Sequence, residues 1–380
     1  MDAEEFDLIR KQLREFVSDR VIPRESEIEE TGMLPPELVT QAARMGLFGF
    51  SIPEEYGGLG LTMTEEVQLA FEIGRTSPAF RSSFGTNTGI AGQLLLQAGS
   101  PQQRSEFLPA IARGDKIVSF ALTEPEAGSD PARLRTVARR DGHRYLLNGT
   151  KRYITNAPVA DLFVIFARTS GEVGESRGIS AFLVDAHTDG IVVATPDAKM
   201  GQAGALSAEV YLSDVEVPAY RLLGPEGSGF RAAMQVLSRG RLHIAAICVG
   251  LADRLLEESV NYAAGRSQFG QPIGDFQLVQ GMLAESKAEA FAGRSMVLEA
   301  ARTYDANNSD RVLNACCKFF CSEMVSRVAD RAVQIHGGMG YMRGVPVERL
   351  YRDSRLFRIY EGTSQIQQLI IAKGLLENAT

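Results

Sequence analysis

Near the C-terminus, Tyr360-Glu361-Gly362-Thr363-Ser364-Gln365 sets one carboxylate beside small and amide-bearing residues of the kind that line a bound cofactor. That setting makes Glu361 a candidate catalytic base. Other common chemistries lack their residues. His143, His187, His243 and His336 are scattered and form no HExxH or facial-triad pattern, so the expectation is that no metal is bound. Cys248, Cys316, Cys317 and Cys321 fall in helical stretches without CxxC spacing and read as buried thiols. No GxGxxG joins a strand to a helix: Gly57-Gly58-Leu59-Gly60 has the wrong spacing, and Gly337-Gly338-Met339-Gly340 falls between helices. This argues against a Rossmann nucleotide domain.

The elements that must position Glu361 follow from periodicity. Phe6, Ile9, Leu13, Phe16 and Val17 recur at helical spacing, and their helix is expected to stop before Pro23. Pro35-Pro36 opens a helix running to Gly46, and a third spans Glu65 to Ile73 before Pro78 interrupts the pattern. From Lys116 the pattern changes to short β-rich runs at 117–122, 135–140, 144–147, 162–167, 179–184, 208–212 and 215–217. Asp141-Gly142 and Asn148-Gly149 lie between such runs and suit tight hairpin turns, so antiparallel pairing is expected. A helical remainder begins near Phe230, with breaks at Gly265 and Gly337-Gly338 and further helices at 312–333 and 364–376. The chain reads as α+β in three domains: N-terminal helices over 1–116, a β-domain over 117–224 and a helical bundle over 225–380.

With 380 residues, 44% apolar and 23% charged, the chain has the composition of a globular protein with a sizeable core. A net charge of -7 argues against general nucleic-acid binding and leaves a small molecule as the expected partner. No apolar run nears the roughly 20 residues that cross a bilayer, and the acidic amphipathic start is unlike a targeting peptide, so a cytoplasmic location is expected.

Five further runs accompany the Glu361 segment: 50–58 (FSIPEEYGG), 122–130 (LTEPEAGSD), 148–156 (NGTKRYITN), 266–270 (RSQFG) and 334–340 (QIHGGMG). In that order and spacing they resemble the acyl-CoA dehydrogenase family across essentially the whole chain. The resemblance implies an N-terminal helical domain, a middle antiparallel β-barrel-like domain and a C-terminal four-helix bundle, with FAD held between the β-domain and the C-terminal helices. It also implies site residues. Phe120, Leu122 and Thr123 would line the flavin ring, with Gly128 and Ser129 near the pyrophosphate and the substrate's pantetheine arm. Thr155 would donate its hydroxyl to flavin N5. Tyr153 would pack on the isoalloxazine where many relatives carry tryptophan, a residue this chain lacks altogether. Arg266, Gln268 and Phe269 would reach the FAD of a neighbouring subunit, with Gln277, Gln334, Gly337 and Gly338 continuing that surface and Thr363 and Gln365 completing the cofactor contacts. Arginine suits phosphate because its planar fork donates paired hydrogen bonds. A homo-oligomer sharing FAD sites, dimer or tetramer, would follow.

By the same resemblance, Glu361 would remove the α-proton of an acyl-CoA thioester while hydride leaves the β-carbon for flavin N5, giving a trans-2-enoyl-CoA. An electron-transfer flavoprotein would then accept the electrons. Desolvation in an apolar pocket would raise the base's pKa. The thioester oxygen would be met by the Glu361 N–H and a ribityl hydroxyl, with Gly362 and Arg241 beside the substrate. Some members carry the base one residue before that arginine, where this chain has Gly240, which supports Glu361. Arg81 falls where glutaryl-CoA dehydrogenases meet a distal carboxylate, so a dicarboxylic acyl-CoA is the alternative; Arg81 paired with Glu72 or facing solvent is the structural one. Other flavin chemistry on the same fold, or a non-catalytic scaffold, completes the set of readings.

Overall fold

The computed structural model describes residues 2–377. Seven α-helices come first: α1 (Ala3–Phe16), α2 (Glu25–Thr31), α3 (Pro36–Arg44), α4 (Met63–Ile73), α5 (Pro78–Thr88), α6 (Ile90–Ala98) and α7 (Pro101–Arg113). Their ends are written into the chain. Thr62 and Glu65 form a capping box on α4, as do Ser100 and Gln103 on α7. Pro23 does not end the helical path: a π-turn over Val17–Val21 and a 3-10 turn over Ile22–Arg24 absorb the missing donor and pass the chain into α2. Helix α4 ends at Ile73, ahead of Pro78, as expected. Pro78 itself opens α5, where the first-turn N–H has no intrahelical partner anyway.

The middle of the chain holds β1 (Val118–Ala121), β2 (Val137–Asp141), β3 (Arg144–Thr155), β4 (Leu162–Arg168), β5 (Ile179–Asp185), β6 (Ile191–Val193), β7 (Ser207–Pro218) and β8 (Leu222–Leu223). They form one sheet in the order β6-β7-β3-β2-β4-β5-β8, with β1 paired to β4. Pairing is antiparallel except at β1–β4 and at the single Val137–Arg168 match between β2 and β4. Asp141-Gly142 makes the expected hairpin between β2 and β3, with Gly142 at φ +61°. Asn148-Gly149 does not turn. It forms a bulge inside the long strand β3, because the Asn148 side chain bonds across to β7, donating to Asp214 at 2.9 Å and accepting the Asp214 N–H at 2.8 Å. For the same reason the two short runs at 208–212 and 215–217 are one strand, β7.

Strand β4 shows where the cores lie. Every residue of it is buried, and alternate side chains enter different clusters: Leu162, Val164 and Phe166 pack toward α6, α7 and the start of the next long helix, while Phe163, Ile165 and Ala167 fill the sheet's interior. The C-terminal part is α8 (Gly229–Gly265), the β9–β10 hairpin (Ser267–Gln268, Gln271–Pro272), α9 (Gln277–Asp305), α10 (Arg311–His336), α11 (Pro346–Ser354) and α12 (Ser364–Glu377). Helix α8 is buried on all sides from Gly240 to Ala252, as a helix without a polar face must be. Its core is shared. One apolar cluster joins Leu13, Phe48, Phe71 and Phe80 of the N-terminal helices to Ile247, Val297, Met324 and Leu350 of the bundle. Asp305, at the end of α9, accepts the Met63 and Thr64 N–H groups at 2.7 and 2.9 Å and so caps α4 from the far end of the chain.

Candidate functional site

Where the sheet meets α5, α8 and the turn before α12, a cleft encloses about 230 Å³. Its β-side is built from Phe120 and Leu122 at the end of β1, Thr123, Gly128 and Ser129 in the loop beyond, and Tyr153 and Thr155 at the end of β3. Opposite them stand Arg81 on α5, Arg241 on α8, and Glu361 with Gly362. These residues, picked from separate runs of sequence, line a single cavity. Ser82, Gly85 and Thr86 of α5 complete the wall, which sequence reasoning represented by Arg81 alone.

The remaining sequence-selected residues are not brought to this cleft within one chain. Arg266, Gln268, Phe269, Gln277, Gln334, Gly337 and Gly338 are exposed around the β9–β10 hairpin and the end of α10. Stacking of Tyr262 on His336, with ring centroids 4.2 Å apart, ties these two helix ends together. Phe269 is 95% exposed, an unusual state for a phenyl ring. Thr363 accepts the Ile366 N–H at 3.2 Å and so starts α12, whereas Gln365 points to the exposed side.

A buried ion pair fixes the β-side loop. Glu124 accepts the Arg135 and Thr136 N–H groups at 2.5 and 3.0 Å and the Lys151 ammonium at 2.8 Å, and Lys151 is fully buried. Burial pushes the Glu124 carboxyl up, but Lys151 and the two backbone donors outweigh it and hold its pKa low. Lys151 itself is brought down to about 8 by burial, against the pull of Glu124. Residues 122–129 are thereby anchored to β3. Tyr153 and Asn156 both take positive φ, +59° and +63°, which turns the end of β3 toward α5. Asn156 then donates to the Ser82 carbonyl and the Thr86 hydroxyl at 2.8 and 3.0 Å. The Arg152 guanidinium lies 4.2 Å from the Tyr153 ring centre and is pinned by Asp197 at 2.6 Å, so one face of the tyrosine is covered and the ring stays 64% exposed at the cleft.

Glu361 sits at φ +53° with its side chain 9% exposed. Its Oε1 is 3.8 Å from Arg81 Nη2, and its Oε2 is buried without a hydrogen-bond partner. Burial raises its pKa, opposed by Arg81, Lys318 and Arg241 in that order. Its backbone N–H donates to no group among the described residues. Two residues not picked from sequence hold the turn. Lys318 on α10, completely buried, donates to the Gly362 carbonyl at 2.7 Å, and Gln367 donates to the same oxygen at 2.9 Å. Gly240 supplies room: a Cβ there would stand 2.7 Å from Glu361 Oε2. Glu72 faces Arg14 at 3.8 Å, so Arg81 is not its partner.

A carboxylate with a raised pKa, one unpartnered oxygen and a free backbone donor beside it can remove a proton from carbon and meet the charge that develops on a neighbouring oxygen. Among the described residues, no group of three or more His, Cys, Asp or Glu is placed to hold a metal ion, and no helix is long and apolar enough to cross a membrane.

Three family descriptions match successive stretches: "Acyl-CoA dehydrogenase, N-terminal domain" over residues 3–115, the middle domain over 119–215 and the C-terminal domain over 227–376. An acyl-CoA dehydrogenase of Bacillus subtilis is 39% identical, covering 97% of both chains. The caffeyl-CoA reductase-Etf complex subunit CarC of Acetobacterium woodii is also 39% identical, covering 99% of both. Among solved structures, an acyl-CoA dehydrogenase complexed with FAD from Bacillus anthracis superposes with a TM-score of 0.93 at 33% identity, over 100% of this chain and 68% of that one.

Proposed function

This chain belongs to the acyl-CoA dehydrogenase family, and on that premise we propose that it is an FAD-dependent oxidoreductase that removes hydrogen from the α and β carbons of an acyl-CoA thioester, with Glu361 as base. The observation that carries the assignment is the unpartnered Glu361 Oε2, buried in a cleft whose opposite wall is the β1–β3 edge. The residues present fit FAD. A planar ring has the open face of Tyr153 on one side, the Thr123 and Thr155 hydroxyls at the β-edge, and space beside Gly128, where a Cβ would meet nothing within 4 Å. Bound there, FAD supplies the acceptor for the hydride lost from the β-carbon.

The chain's own residues do the rest. Glu361 takes the α-proton, its burial having raised its basicity, while Arg81, Lys318 and Arg241 oppose that rise and favour its charged form. The Glu361 N–H is available to the thioester oxygen as negative charge grows there. The Lys151–Glu124 pair fixes the β-side loop and the Lys318–Gly362 bond fixes the turn that carries Glu361, each within its own wall. Arg266, Gln268, Phe269, Gln277, Gln334, Gly337 and Gly338 serve the FAD of a neighbouring copy in a dimer or tetramer; their joint exposure away from this chain's own cleft supports that reading. Thr363 and Gln365 belong to the same cofactor surface. The electrons go on to an electron-transfer flavoprotein, and the protein works in the cytoplasm. The same chemistry run in reverse is reduction of an enoyl-CoA, for which the kinship with a caffeyl-CoA reductase subunit speaks.

A second reading is favoured by Arg81, whose guanidinium borders the cleft: a dicarboxylic acyl-CoA whose distal carboxylate it binds. An anaerobic titration with butyryl-, octanoyl-, isobutyryl-, isovaleryl- and glutaryl-CoA, following loss of flavin absorbance, tests both. Bleaching that Glu361→Gln abolishes is the expected result. A bound flavin that neither these thioesters nor their hydroxylated counterparts bleach would refute the assignment, and a glutaryl preference lost in Arg81→Met would establish the second reading.

A further inference from the structure

Beside the cleft lies a second, smaller chamber, and Arg81, Gly85 and Ile90 line both. The chamber has about 10 Å³ open to a water's centre, room for about one water-sized group. Its wall is unlike that of an aliphatic pocket. Glu66 from α4 pairs with Arg239 from α8 through one oxygen, and its other oxygen, Oε2, is buried without a partner. His243, one turn beyond Arg239, is 6% exposed, stacks on Phe50 with centroids 5.7 Å apart, and has neither ring nitrogen bonded. Arg81 Nε is likewise unpartnered. Burying so many unsatisfied polar atoms costs stability at each one, and a protein retains such a cluster where a ligand or water completes it.

We propose that this chamber recognises a hydroxyl group at the tail of the acyl chain, which makes hydroxyacyl-CoA thioesters the substrate class. The inference rests on the acyl-CoA reading above and deepens it. The open valences decide the chemistry. A neutral imidazole offers one donor and one acceptor, Arg81 Nε–H adds a donor and Glu66 Oε2 adds an acceptor. A hydroxyl gives one hydrogen and receives another, so it meets both kinds. A methyl tail meets neither. A carboxylate tail would satisfy only the donors and would bring a third negative group between Glu66 and Glu361. Burial holds His243 in its neutral form and raises Glu66 to about 7, which agrees with a chamber matched to an uncharged group.

The position of the chamber also limits length. Gly240 lines it, and a Cβ on Gly240 would stand 2.7 Å from Glu361 Oε2 and 3.4 Å from Ile90 Cγ2. A tail that starts at Glu361 therefore reaches the chamber after only a few carbons.

The test is binding to the flavin-loaded enzyme of thioesters in which sulfur replaces the β-carbon, so that no hydride can leave. Probes are the five- to seven-carbon chains in pairs, with and without a terminal hydroxyl, plus the glutaryl analogue, each also measured against His243→Leu and Glu66→Gln. At one chain length the hydroxyl member is expected to bind about tenfold or more tighter than its methyl counterpart, as pairing a buried polar group requires. Each variant should bring that ratio close to one. If His243→Leu fails to fold, Glu66→Gln, which keeps size and shape, decides alone. A ratio near one at every length, or tightest binding of the glutaryl analogue, overturns the hydroxyl assignment while the dehydrogenase reading stands. Failure of every thioester to bind overturns both.

Discussion

Gly240 and Glu361, 121 positions apart, compete for one volume: a Cβ built on the glycine would lie 2.7 Å from the glutamate's Oε2. On the reading of Glu361 as base, the alternative position for a base one residue before Arg241 points into the same volume. A side chain at 240 would push the Glu361 carboxylate from its place. Gly240→Ala is expected to slow substrate-dependent flavin bleaching by about 10–100-fold, since displacing a reacting group by an ångström has that effect. Stopped-flow rates check this, and a melting temperature near that of the parent would place the loss in the site.

Arg81 is the first of the three cations that oppose the burial of Glu361. Arg81→Met should move the Glu361 pKa further up. A base must be ionised to act, so the rising limb of the rate against pH shifts to higher pH. Measuring single-turnover bleaching across pH 5 to 9 checks the sign; a shift to lower pH would contradict the assignment of Glu361 as base.

The Gly362 carbonyl has two donors, Lys318 at 2.7 Å and Gln367 at 2.9 Å. Either can keep that oxygen satisfied. Lys318→Met and Gln367→Leu are each expected to cost little stability, whereas the double variant loses about 1–3 kcal/mol more than their sum, the penalty for a buried acceptor left bare. Urea unfolding of the four proteins of this cycle supplies the comparison.

Glu66 predicts a pH dependence of stability. Its pKa is raised from 4.5 to about 7 in the folded protein, mainly by burial. Between those values the folded chain holds a proton that the unfolded chain has released. Stability therefore falls as pH rises from about 4.5 to 7 and levels off above. Asp353, raised to about 6, adds to the same slope. Glu66→Gln should flatten the fall without abolishing it, which melting temperatures at half-unit pH steps will show.

The exposed hairpin gives a prediction about assembly. Phe269→Ser is expected to lower both the oligomeric mass in sedimentation and the retention of flavin on gel filtration. A colour-retaining oligomer of unchanged mass would remove Phe269 from the subunit contact.

What was legible in the sequence was local. The β-side of the cleft was legible through the family resemblance of the runs at 122–130 and 148–156, whose residues line one cavity. Lys318, His243 and Glu66 were not legible. Each is a polar residue on an apolar helical face, and its meaning depends on a partner from a distant element: Lys318 bonds Gly362, 44 residues on, and Glu66 meets Arg239 across 173. Periodicity says such a residue is buried but not what it faces. Asn148-Gly149 failed for a related reason, since the turn signal of the dipeptide was overridden by the Asn148–Asp214 bonds to another strand. Helix α11 has little sequence signal: Pro346 opens it, and Val347 and Leu350 are the only apolar residues of its buried stripe.

The apolar cluster shared by the first and last thirds of the chain bears on synthesis at the ribosome. Leu13, Phe48, Phe71 and Phe80 emerge first, yet the α8–α11 surfaces that cover them are made last. At about 5–20 residues per second, the intervening stretch takes on the order of 10–50 s to translate. For that interval the nascent N-terminal helices carry an uncovered greasy face, and the chain is a natural client for holdase chaperones until its final helices leave the exit tunnel.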